Sequence, residues 1–101
     1  EVDRVELSLQ QRLIDTLTRF DNARRRAVHY RDEILPKAEQ SLRLTQQGYQ
    51  QGELDYISLL NSQEFYIETH LVYLSSLNEL WQSATLLEGL LLEGSLEAVE
   101  R

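Results

Sequence analysis

Two stretches of this sequence each hold one apolar face for roughly ten helical turns, and the residues between them are the natural place for the chain to reverse. In the first, Leu13, Leu17, Phe20, Ala23, Ala27, Tyr30, Ile34, Ala38, Leu42, Thr45 and Tyr49 follow one another in steps of three or four. In the second, Tyr56, Leu60, Gln63, Ile67, Leu71, Leu74, Leu77, Trp81, Ala84, Leu87 and Leu91 do the same. Spacings of this kind are those of coiled coils. The expected fold is therefore all-α: a long antiparallel helical hairpin with arms over residues 5–49 and 55–92, each roughly 55 to 65 Å long at ~1.5 Å per residue.

Residues 46–63 read QQGYQQGELDYISLLNSQ and place two glycines four residues apart. Gly52 suits the position after a helix where φ turns positive, and Asp55 suits the N-cap or first turn of the helix that follows. Tyr49 and Leu54 are expected to pack beside the reversal, while Gly48 reads as fraying ahead of it. Pro36 interrupts the first arm, where proline removes a hydrogen bond and costs about 3 kcal/mol in a helix interior. The surrounding RDEILPKAEQ has no Gly, Asn or Ser to form a loop, and the apolar face passes from Tyr30 through Ile34 to Ala38. A kink is expected near Pro36, in preference to a break into a three-helix bundle.

Charge narrows the function. Of the 101 residues, positions 1–43 carry nine Lys or Arg against eight Asp or Glu, whereas positions 44–100 carry nine acidic residues and no basic one. An acidic second arm argues against nucleic-acid binding, which draws its affinity from Lys and Arg, and against an amphipathic membrane-surface helix. The Arg24–Arg26 run points three ways around a helix and reads as a set of ion-pairing side chains. The absence of cysteine excludes disulfides and thiolate metal sites. The longest aliphatic and aromatic run, residues 71–74, is far short of the ~20 residues that cross a bilayer.

No constellation for catalysis is legible. His29 and His70 are not expected to meet across the hairpin, the Glu-x-x-His pairs of a di-iron bundle are absent, and there is no phosphate loop or nucleophile signature. The chain is expected to be a non-enzyme without a cofactor. One seam is also a thin core: at ~1.5 kcal/mol of ordering entropy per residue and ~25 cal/mol per Å², each residue must bury about 60 Å² of apolar surface to break even. Ile14, Val28, Leu44, Leu59, Phe65, Val72, Leu80 and Leu86 lie beside the seam and are expected to pack on other copies or other helices.

The ILPKAEQSL segment around Pro36, the Tyr-x-x-Gly at Tyr49 and Gly52, the Leu-Leu-x-x-Gln at Leu59, Leu60 and Gln63, and the region from Tyr73 to Trp81 carry a resemblance in their order and spacing. Together they resemble the periplasmic helical hairpin of TolC-type outer membrane efflux proteins, in particular the C-terminal repeat of the branch that includes heavy-metal and multidrug exporters. The resemblance runs over about residues 5–92. It implies a homotrimeric exit duct anchored by a β-barrel in the outer membrane, of which this chain is a periplasmic piece. The tip, formed by Tyr49, Gln50, Gln51, Gly52, Glu53 and Leu54, then docks a periplasmic adaptor (a membrane fusion protein) that links the duct to an inner-membrane pump.

Acidic side chains just past the tip narrow the periplasmic entrance in some members of that family. Here those positions are Ser58 and Asn61, so a charged constriction is left to Glu53 or Asp55, with Asp55, Ser58 and Asn61 as the entrance lining. The competing expectation, which needs no family, is a self-associating helical scaffold in which residues 48–55 only turn the chain.

Overall fold

A computed structural model describes residues 2–100, and these are helical except at the reversal. The first arm consists of α1 (Val2–His29), a π-helical segment (Tyr30–Ile34) and α2 (Leu35–Gln50); the second is α3 (Tyr56–Glu100). No strand occurs among the described residues. The fold is the expected all-α hairpin, reversing between Gln50 and Tyr56.

Two compact units divide the chain. The unit of Glu1–Arg25 and Leu77–Arg101 pairs the start of α1 with the end of α3. Its antiparallel register is fixed at two points: Leu9 Cδ2 lies 3.9 Å from where a Cβ on Gly94 would be, and the Arg19 guanidinium donates to Glu79 Oε1 at 2.7 and 2.9 Å. The unit Arg26–Ser76 contains the reversal. There Ser62 Oγ donates to Thr45 Oγ1 at 3.1 Å, and the rings of Tyr49 and Tyr56 lie 5.9 Å apart.

The first arm buries nearly the face that its spacing predicts. Ala23, Ala27 and Ala38 are buried, and Leu13, Phe20, Tyr30, Ile34, Leu42 and Thr45 are half-buried. Leu17 and Tyr49 are exposed instead, their places on the inner face taken by Thr16 and Gly48.

The second arm overturns the expectation. Tyr56, Leu60, Ile67, Leu71, Leu74, Leu77, Trp81 and Leu91 all face outward. The inner face is Leu59, Ser62, Tyr66, Thr69, Tyr73, Ser76, Leu80, Ser83, Leu87 and Leu90, mostly one position ahead of the predicted one; of the predicted face, Gln63, Ala84 and Leu87 are half-buried, and Leu87 is common to both. A hydroxyl recurs every seven residues along it, at Ser62, Thr69, Ser76 and Ser83, and Ser76 and Ser83 are 1% and 0% exposed. Small side chains let two helices approach closely. The hydroxyls are not stranded by burial, because three of them bond back into their own helix, Thr69 to the carbonyl of Phe65, Ser76 to Val72 and Ser83 to Glu79, at 2.7 to 2.9 Å. Of the residues expected beside the seam, Leu59 is buried and Leu80 half-buried, whereas Ile14, Val28, Leu44, Phe65, Val72 and Leu86 are exposed.

Helix persists through Pro36, so the first arm does not break into a separate third helix. The adjustment lies just upstream, where the Leu35 N–H bonds to the carbonyl of Tyr30, five residues back. A π turn inserts one extra residue into a helix. Inner positions here run 30, 34, 38 and 42, three consecutive steps of four, where a coiled-coil face alternates three and four. The extra residue absorbs that excess and keeps Ala38 on the same face as Ala27. It also places the slack next to a residue that can donate no hydrogen bond.

Candidate functional site: the hairpin tip

Gln51 ends α2 in a right-handed conformation, and Gly52 follows at φ 78°, the only positive-φ residue described. Two hydrogen bonds close the end: Glu53 N–H to the carbonyl of Gly48 at 2.8 Å, and Gly52 N–H to that of Tyr49 at 3.1 Å. Counted from the C-cap, these are the 6→1 and 5→2 bonds of a Schellman motif. The expected role of Gly52 thus holds for a specific backbone reason.

Gly48 is not fraying. It is buried within α2, and a Cβ there would stand 2.6 Å from Leu54 Cδ1 and 2.9 Å from its Cγ. Leu54, whose N–H also bonds to the Gly48 carbonyl at 3.1 Å, folds its side chain back over the bare backbone of that residue. The two glycines therefore do different things: Gly52 lets the chain turn, and Gly48 provides the seat on which Leu54 closes it.

Asp55 caps α3. Its Oδ1 accepts from the Ser58 backbone N–H at 2.9 Å and from Ser58 Oγ at 2.6 Å. These bonds to the ionised form hold the Asp55 carboxyl below the ordinary carboxylate range. Of the three residues expected to line an entrance, Asp55 and Ser58 are thus joined to each other, and Asn61 is exposed one turn further along α3.

Around this frame the tip surface is exposed and mixed. Tyr49, Leu54, Tyr56 and Ile57 present apolar area, and Gln46, Gln47, Gln50 and Gln51 surround it with amides. Glu53 and Asp55 are the only charged residues between positions 44 and 63. Ile57 and Tyr56 belong to the tip surface but were not singled out by the sequence, which gave Tyr56 to the seam. The Asp-x-x-Ser spacing at 55–58, a cap followed three residues later by a donor, is the signal that could have assigned Ser58.

Away from the tip, each histidine is engaged on its own helix. His29 Nδ1 lies 3.2 Å from Glu33 Oε2, and the His70 ring stacks on Tyr66 at 6.1 Å. Arg24 and Arg25 both reach Asp21. Arg31 forks onto Asp32, which lowers the Asp32 pKa through that hydrogen bond and raises that of Arg31. Among the described residues, no group of three or more His, Asp or Glu side chains is placed to hold a metal ion, and no helix is long and apolar enough to cross a membrane.

No family model matches the chain, and no solved structure matches it. Among curated proteins it is similar to the cobalt-zinc-cadmium resistance protein CzcC of Cupriavidus metallidurans, at 26% identity over 85 residues. The match covers 84% of this chain and 20% of CzcC, so the chain spans about a fifth of the length of the relative it matches. The similarity is consistent with an outer membrane efflux family.

Proposed function

We propose that this chain is a periplasmic part of the helical duct of an outer membrane efflux channel, and that its tip docks a periplasmic adaptor of a tripartite export pump. The observation that carries the docking is the closed tip, in which Leu54 is held over Gly48 while Tyr49, Leu54, Tyr56 and Ile57 remain open to a partner. The Leu54 contact closes the turn, but the exposed Ile57 beside it plays no part in the reversal. The similarity to CzcC supports efflux as the process. In this reading the chain performs no chemistry and needs no cofactor; it contributes a wall and a contact, as one of three protomers of the full-length protein. Asp55, Ser58 and Asn61 line the periplasmic entrance.

Gly52 is the wrong residue on which to test docking, because any side chain there strains the turn itself. Gly48→Ala and Leu54→Ala are better, since the first unseats Leu54 and the second removes it, and both leave the φ-positive residue alone. Binding of each variant to a purified periplasmic adaptor of a heavy-metal exporter is expected to weaken about tenfold or more, a loss of ~1.4 kcal/mol, with circular dichroism unchanged. Binding equal to wild type for both variants would refute docking through this tip. It would favour the second reading, a self-associating helical scaffold, which the outward apolar face of α3 also suits.

A further inference from the structure

We draw no further inference here: the strongest candidate, the open groove that Arg19, Trp81, Gln82, Thr85, Leu86 and Gly89 line along α3, carries nothing because nothing in the structure shows what covers it.

Discussion

The two tip glycines separate stability from surface. At Gly52, alanine must adopt a left-handed conformation that costs an L-residue about 1–2 kcal/mol, so Gly52→Ala is expected to lower the thermal midpoint by several degrees. At Gly48, alanine removes a glycine from a helix interior, a gain of about 1 kcal/mol, while displacing the flexible end of Leu54. The two effects nearly cancel, and the Gly48→Ala melt should stay close to wild type. A thermal scan of both variants checks the contrast; a large loss at Gly48 would mean that Leu54 cannot rotate away. Asp55 adds a pH signature. Its folded-state pKa is depressed by Ser58, so its contribution is present above the ordinary carboxylate range and is lost as pH falls through the lower, folded-state value. Asp55→Asn keeps a capping oxygen that does not titrate, and acid-induced loss of helicity is expected to be shallower in that variant. The turn glycine and the cap were legible because each is a local rule about one residue. The seat on Gly48 was not, because it depends on where the side chain of Leu54 goes after the reversal.

At the scale of elements, the π turn answers two demands at once, and they can be pulled apart. Deleting one residue from Tyr30–Ile34 restores an alternating three-four face, but with Pro36 in place it forces the ring against an α-helical carbonyl, at a cost of about 3 kcal/mol. In a Pro36→Ala background the same deletion is expected to be tolerated, and urea denaturation of the four chains gives the coupling. Additive losses would show that register alone selects the π turn. The buried hydroxyls allow a second test: Ser83→Ala leaves only the Glu79 and Leu80 carbonyls without an extra donor and is expected to change stability by less than about 0.5 kcal/mol, whereas Ser83→Leu overpacks the seam by about 1–3 kcal/mol. These residues also explain what was hidden in the sequence. The first arm concentrates its apolar residues on one side, so counting steps found the inner face. On α3 they lie nearly all round, and a three-four path can be drawn along more than one face. The path through Leu71, Leu74 and Trp81 collected the largest side chains and was the outer one. Close helix approach selected Ser76 and Ser83, and a count of hydrophobic residues gives them no weight.

Across the whole molecule, α3 has an inner face where Ser62, Thr69, Ser76 and Ser83 recur among leucines and tyrosines and an outer one carrying Ile67, Leu71, Leu74, Leu77 and Trp81. A chain selected to remain a lone hairpin would place its large apolar groups the other way round, since scattered exposed hydrophobics are ordinary but a contiguous set marks a contact. The outward set is therefore expected to drive association and to contribute little to the seam. Leu71 and Leu74 test this because they are exposed and three residues apart on one helix. Changing both to glutamine removes apolar surface from the outer face while leaving Tyr73 and Ser76 on the inner face unaltered. Sedimentation equilibrium should show the doubly substituted chain shifted toward monomer, and circular dichroism at high protein concentration should show its helix content retained. If the substitutions instead melt the helices without changing the oligomer distribution, Leu71 and Leu74 belong to the core of the hairpin, and the division of α3 into an inner and an outer face is wrong.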